Sequence, residues 1–220
     1  MAKNVILVIH GIRTYAGWSQ KLKAALEERD DVKVIIIRYG WLDLIRFLLP
    51  YVFRRKIIAG VHSQIVQISN DNRDAEISVI AHSFGTYIIN KIVTQYANVT
   101  FKRILLCGAI VKQSEKWHCV AGVEEILNDC GVRDIFPILA SCSFGYGPSG
   151  VFGSRAVTKK MENRFHDIKH SDFFNLEFIN KFWKPYFLDG VFVKGDFIDR
   201  DIAFPWWIKM LSHVPYKTIL

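Results

Sequence analysis

VIAHSFGT, residues 79–86, is the stretch that decides the fold. Residues 77–81 form a short apolar run typical of a buried strand, and a serine follows after one polar residue. Apolar residues then recur at helical spacing directly after the serine: Ile88, Ile89, Ile92, Val93 and Tyr96. A strand that turns into a helix without a loop crowds its backbone, so small residues are needed around Ser83. Ala81 and Gly85 meet that need, and the turn should expose the Ser83 hydroxyl.

Strand-like and helix-like segments alternate on both sides of this turn. The pattern predicts strands at residues 3–9, 32–37, 103–111, 123–127 and 161–168, and helices at 18–26, 58–68 and 171–183. Residues 143–154, rich in Gly and Ser, should be a loop, and residues 39–53 either a helix over the sheet or part of an acyl pocket. Alternation of this kind favours right-handed crossovers. We therefore predict a three-layer α/β/α sandwich with a mostly parallel sheet of about six strands.

Length and composition favour a single domain over residues 1–220, with an aromatic-rich, irregular C-terminal extension from about residue 185. The apolar run at residues 5–9 is too short for a signal peptide or a membrane span, so we expect a cytoplasmic protein. The four cysteines show neither a CxxC pair nor zinc-site spacing, and we expect no metal and no cofactor.

The formal net charge of +8 favours anionic partners. Residues 54–56, Arg-Arg-Lys, could contact an anionic membrane at its surface, while nucleic acid is an unlikely partner because basic residues are not interleaved with aromatics.

The turn after the first predicted strand, residues 10–13 (His-Gly-Ile-Arg), is the second candidate element of a site. Attack of a serine on a carbonyl creates an oxyanion that needs amide donors. We predict the backbone N–H groups of Ile12 and of Phe84, at the start of a helix, as those donors. His10 should brace this turn.

These features resemble the α/β-hydrolase superfamily over residues 3–183, beginning at what would be its third strand. One departure is Ala81, where the superfamily pattern usually has glycine. The resemblance implies a catalytic triad in the chain order nucleophile, acid, histidine, with Ser83 as nucleophile. It also implies an acid after the second strand that follows the nucleophile. Asp134 resembles that acid, while Asp129 at the predicted strand end could instead hold the turn.

The histidine of the triad should follow the last strand, which leaves His170, His166 and His213. His170 stands between the predicted strand and helix, as the superfamily's histidine does, whereas His166 is still inside the strand and His213 lies in the tail. His62, His118 and His82 are interpreted as surface or packing residues, with His82 pointing away from the site.

The resemblance implies a serine hydrolase that cleaves a carboxylic ester, with a lipid acyl ester as one candidate, through an acyl-enzyme on Ser83. A thioesterase or a peptidase would use the same groups. A catalytically silent binding or signalling module on this scaffold is the alternative from another class.

Overall fold

A computed structural model describes residues 3–11, 17–39, 52–96, 98–117, 120–155, 157–197 and 204–213 of the 220-residue chain. It contains one parallel sheet in the order β2-β1-β3-β4-β5-β6. The strands are β1 Asn4–Ile9, β2 Val32–Ile37, β3 Glu76–His82, β4 Phe101–Cys107, β5 Val123–Gly131 and β6 Met161–His166. The predicted parallel sheet is confirmed.

Helices connect most of these strands. They are α1 Gly17–Leu26, α2 Val52–Asp71, α3 Phe84–Gln95, α4 Phe136–Ala140, α5 Ser149–Phe152, α6 Leu176–Phe178 and α7 Trp206–His213. A 3-10 turn, Asp172–Phe174, precedes α6, and π-helical turns at Ile179–Trp183 and Pro185–Asp189 follow it. None of the helices in the described residues is both long and apolar enough to cross a bilayer.

Both faces of the sheet are covered, as predicted. Helices α2 and α3 pack on one face, where Ile65 and Ile88 join Leu7 in a common apolar cluster. On the other face, Leu22 of α1 and Trp183 pack with strand residues such as Ile6. Leu7 and Ile6 point to opposite faces because side chains alternate along a strand. Burial on both faces explains why the strands are continuous apolar runs.

Strand β4 is shorter than the predicted 103–111. It ends at Cys107 because Gly108 has a φ of +54°, a value that strands do not adopt. Beyond it, the chain forms backbone hydrogen bonds with residues 147–150, including one from Gly150 N to Ala109 O of 2.7 Å.

Strand β5 is longer than the predicted 123–127. Its pairing with β6 runs from Ile126 opposite Met161 to Gly131 opposite His166, and this pairing keeps the chain extended as far as Gly131. Asp129 consequently lies inside a strand, and the prediction that it sits at the strand end is wrong.

Three further predictions need correction. The predicted loop at residues 143–154 contains α5. The predicted helix at 171–183 is interrupted by Asn175, which has an extended backbone and caps α6 by accepting a hydrogen bond from Glu177 N. The tail is not irregular throughout, because Ile208 of α7 is buried against α4 and α5. The predicted features of residues 40–51 lie outside the described residues.

Candidate active site

Ser83 occupies the tight turn between β3 and α3. Its backbone has φ +53° and ψ −119°, the one positive φ among the non-glycine residues that the structure describes. A Cβ on Gly85 would lie 2.1 Å from the carbonyl oxygen of Ile9, so only glycine fits there. The crowding inferred from the sequence is thus present. A turn of this kind directs the serine side chain away from the strand and helix that flank it.

The backbone of Ser83 is held on both sides. Its N–H donates to the carbonyl of Cys107 at 3.1 Å. Its carbonyl accepts hydrogen bonds from the amide of Thr86 at 3.0 Å and from the Thr86 hydroxyl at 2.6 Å. The Thr86 hydroxyl also accepts from Ile110 N at 3.1 Å, which ties the turn to the segment after β4. These bonds fix the turn without using the Ser83 hydroxyl.

Asp134 and His170 form a direct pair. His170 Nδ1 donates to Asp134 Oδ2 at 2.7 Å, and Asp134 Oδ1 accepts from Phe136 N at 2.9 Å. The carboxylate is completely buried, whereas 13% of the His170 side chain remains accessible. The buried carboxylate therefore fixes the orientation of a ring that solvent can still reach, which leaves Nε2 as the nitrogen for chemistry.

Gly108 brings this pair to the end of β4. A Cβ on Gly108 would lie 2.8 Å from His170 Nδ1 and 3.3 Å from Asp134 Oδ2. Gly108 directly follows Cys107, whose carbonyl holds the amide of Ser83. All three predicted triad residues therefore lie at the carboxyl edge of the sheet, around the ends of β3 to β6, where sites of parallel sheets form.

His82 has a role that the sequence did not reveal. Its Nε2 donates to the backbone carbonyl of His170 at 3.1 Å, and the two rings lie 4.5 Å apart between centroids. The ring also packs edge-on against Phe174. Burial, followed by the neighbouring His170, lowers the pKa of His82 well below its ordinary value. A neutral His82 therefore holds the His170 backbone, and the prediction that it points away from the site is wrong. Its position next to Ser83 was the available signal.

Of the two predicted oxyanion donors, the structure describes one. Phe84 is the first residue of α3, where helix amides point out of the helix end. Its ring is fully buried and lies 6.3 Å from the ring of Tyr39 and 6.3 Å from that of Tyr146. Ile12 lies outside the described residues.

The two residues that follow β1, His10 and Gly11, are braced by their own contacts. His10 Nδ1 donates to the carbonyl of Gly11 at 2.7 Å, and the His10 ring stacks on Tyr39 at 4.6 Å. Burial lowers the pKa of His10, so the ring is mainly neutral at pH 7. A Cβ on Gly11 would approach Ser83 Cβ to 2.8 Å, which shows how closely this turn passes the serine.

The alternative acid and base, Asp129 and His166, belong to a separate buried network. Arg164 donates to both oxygens of Asp129 at 2.6 and 2.8 Å, Trp183 Nε1 donates at 2.8 Å, and His166 Nε2 lies 3.3 Å away. Burial alone would raise the pKa of Asp129. The positive charge of Arg164 and its hydrogen bonds to the carboxylate outweigh the effect of burial, so the pKa of Asp129 is lowered. Both side chains are inaccessible to solvent.

The remaining histidines lie elsewhere. His62 on α2 bonds Asn98 at 2.8 Å and stacks on Tyr96. His213 ends α7, but its side chain and all of His118 lie outside the described residues.

An apolar surface adjoins His170, and the sequence did not predict it. The ring of Phe136 lies 4.7 Å from that of His170, and 54% of the residue is exposed. Leu139, three residues further along α4 and therefore on the same side, is 45% exposed. An apolar group could lie against this surface beside the histidine.

Comparison with known proteins gives the fold. No family model and no curated protein matches the sequence, but solved structures match the architecture. An uncharacterized Bacillus cereus protein superposes with a TM-score of 0.58 over 87% of this chain at 12% identity, and the match spans only 61% of that protein. A serine hydrolase of the α/β kind without a lid, from Xanthomonas campestris, gives 0.56 at 12% identity over 87% of this chain and 82% of its own.

The esterase domain of a Rhodothermus marinus protein gives 0.54 at 10% identity, over 84% of this chain and 87% of the domain. At such identities the likeness establishes the fold and leaves the chemistry open.

Proposed function

We propose that this protein, whose fold is that of the α/β-hydrolases, is a serine hydrolase that cleaves carboxylic esters. The observation that carries the proposal is the 2.7 Å bond from His170 Nδ1 to the buried carboxylate of Asp134, beside the strained turn that presents Ser83. A histidine oriented by a carboxylate next to a serine on such a turn has the arrangement of a nucleophile with its base.

The reaction then proceeds through an acyl-enzyme. His170 Nε2 takes the proton of the Ser83 hydroxyl as its oxygen attacks the carbonyl carbon, and Asp134 stabilises the imidazolium that results. The amides of Phe84 and Ile12 stabilise the oxyanion. His170 gives its proton to the leaving alkoxide, and the acyl group stays on Ser83. Water then attacks the acyl carbon while losing a proton to His170. His170 returns that proton to Ser83 Oγ as the bond between this oxygen and the acyl carbon breaks, which releases the acid.

The surroundings of His170 favour a substrate with an apolar part. The exposed rings and side chains of Phe136 and Leu139 offer an apolar wall beside the base. Contact of this kind with an acyl chain or an apolar leaving group gains about 0.8 kcal/mol per buried CH₂. An acyl ester is therefore the first substrate class to test, ahead of a thioester or a peptide that the same groups could cleave.

Labelling with a fluorophosphonate probe tests the nucleophile. The folded protein should be labelled at Ser83 and should hydrolyse p-nitrophenyl esters, with longer acyl chains favoured. Ser83→Ala should abolish labelling and reduce kcat by roughly 10⁴-fold or more. Ser63→Ala, on the exposed side of α2, is the matched control and should behave as the wild type.

The competing proposal, a catalytically silent binding module, predicts the opposite outcome. In that case the folded protein would remain unlabelled, and Ser83→Ala would change no measured rate. Hydrolysis of the ester by Ser83→Ala at the wild-type rate would also contradict the triad mechanism.

A further inference from the structure

A groove with an excess of positive charge runs between α2, α3 and the turn after β4. It lies on the face of the sheet that α2 and α3 cover. Its volume is about 610 Å³, and we call it the basic groove. Its charged lining consists of four cations, Arg54, Arg55, Lys91 and Lys112, and a single carboxylate, Glu115. A second cavity of about 630 Å³ shares Lys112 and Glu115 with it and adds Lys116.

Three of the cations in the basic groove differ from cations elsewhere in the molecule in that they form no ion pair with a carboxylate of the described residues. Lys102 pairs with both Glu76 and Glu124, and Arg103 pairs with Glu125. Within the described ranges, by contrast, no carboxylate forms an ion pair with Arg55, Lys91 or Lys112. A cleft lined by one sign of charge concentrates its field and attracts counter-ions.

The inner wall of the groove contains a buried arginine and two tyrosine rings. Arg54 is only 4% exposed, and its guanidinium lies 4.3 Å from the ring of Tyr146 and 5.7 Å from that of Tyr87. Arg54 Nη1 also donates to the carbonyl of Phe144 at 2.7 Å. Lys91 Nζ lies 5.4 Å from the same Tyr87 ring. Two cations on one tyrosine hold positive charge at a fixed place along α3.

We propose that the basic groove binds a phosphate-bearing ligand. Arg55, Lys91 and Lys112 line the cavity and form no ion pair with a carboxylate of the described residues, so they suit a group with more than one negative charge, such as phosphate. The volume lies within the range of small-molecule sites and leaves room for an organic part beyond the phosphate. The ligand could be free in solution or the headgroup of a membrane phospholipid, since both offer the same phosphate.

Binding of two probes to the intact chain tests the site and separates the sources. Pyrophosphate titration by calorimetry at low salt reports a free phosphate. Sedimentation with phosphatidylcholine vesicles containing phosphatidic acid reports a headgroup, with pure phosphatidylcholine vesicles as the blank. At least one probe should bind, and binding should weaken as salt increases.

The decisive comparison uses two double variants of equal net charge. Lys91→Glu/Lys112→Glu places two repelling charges in the groove and should weaken binding by at least about tenfold. Lys21→Glu/Lys33→Glu makes the same change at two exposed positions on α1 and β2 and should leave binding within about twofold. Lys91→Gln/Lys112→Gln, expected to weaken binding by about threefold or more, serves if the glutamates perturb α3.

The outcomes assign the site directly. Pyrophosphate binding that depends on the groove supports a soluble ligand, and vesicle binding that does so supports a lipid headgroup. Equal weakening by the two glutamate variants would mean that only the overall charge matters, and it would overturn the proposal. Failure of both probes to bind would overturn it too. Because binding is also measured in Ser83→Ala, these results do not depend on whether the protein is a hydrolase.

Discussion

Two aspartate–histidine pairs of the described residues can be compared: Asp129 and His166 lie within β5 and β6, and Asp134 and His170 lie just beyond the ends of the same strands. Asp134 accepts from His170 at 2.7 Å and from one backbone amide, and His170 remains partly accessible. Asp129 accepts from both nitrogens of an arginine fork and from Trp183, and His166 beside it is sealed from solvent. The residue types are the same, but their neighbours differ.

The difference distinguishes the pair that we propose to be catalytic from a pair with a structural role. Arg164 neutralises Asp129 as a buried ion pair, and Trp183 donates a further hydrogen bond to the same carboxylate. Among the described residues, no arginine forms an ion pair with Asp134. In the proposed mechanism, its contact with His170 Nδ1 stabilises the positive charge that forms on that ring. A buried carboxylate with an arginine as its counter-charge has a structural role. A buried carboxylate without such a partner can stabilise the positive charge that a neighbouring histidine gains when it takes up a proton.

The largest expected effect comes from the first pair. Asp134→Asn keeps the shape of the side chain but removes the charge that stabilises protonated His170. We expect kcat for ester hydrolysis to fall by about 10⁴-fold, the size of loss found when a triad aspartate becomes asparagine. Kinetics with a p-nitrophenyl ester would measure it, with circular dichroism as the control for folding. Activity within tenfold of the wild type would remove Asp134 from the mechanism.

A substitution in the second pair, Asp129 and His166, should lower the free energy of unfolding and leave kcat nearly unchanged. Asp129→Asn leaves Arg164 buried without its counter-charge, which costs about 3–5 kcal/mol of unfolding free energy. The thermal midpoint should fall by roughly 10 °C, while kcat of the folded protein stays within about threefold.

Denaturant unfolding measures the loss caused by Asp129→Asn. The double variant Asp129→Asn/Arg164→Met removes both charges and should lose less stability than the single variant. If Asp129→Asn instead abolished catalysis at unchanged stability, the roles of the two pairs would be reversed.

The smallest effect concerns the link that His82 makes to the first pair. Because burial lowers its pKa, folded His82 stays neutral, while the unfolded chain binds a proton below its ordinary pKa of about 6.5. Its contribution to stability is therefore complete above that pH and is lost progressively as the pH falls below it. His82→Gln keeps an N–H donor for the His170 carbonyl and should show a shallower loss in denaturant titrations at pH 5, 6 and 7. Parallel pH profiles for the two proteins would contradict this.

The sequence predicted most of the sheet because its strands are short apolar runs. Its resemblance to the α/β-hydrolases implied Ser83, Asp134 and His170 as a triad, and their catalytic roles stay a prediction. It missed contacts that only the folded chain creates. The partner of Asp129 is Arg164, 35 residues away, so the local sequence could not show that this aspartate belongs to a buried ion pair. His82 looked like a packing residue because its target, the carbonyl of His170, is 88 residues distant.

The ends of β4 and β5 were predicted wrongly for a related reason. The end of β4 at Gly108 depends on a positive φ, and the length of β5 depends on its pairing with β6. Neither is encoded in the apolar pattern of the strand itself. The predicted Phe84 amide follows from the helix start, whereas the apolar wall at Phe136 required the docking of α4 beside His170.

At position 83, the residue that the proposed reaction needs is also one whose backbone conformation lowers the stability of the fold. A non-glycine residue held in so rarely populated a conformation costs of order 1–3 kcal/mol, and glycine would adopt it with less strain. Selection for stability alone would therefore favour glycine in place of Ser83, the residue that the proposed reaction needs most. Retention of serine in lineages that share this turn would then be a record of selection for chemistry, and its drift to glycine would mark the loss of that chemistry.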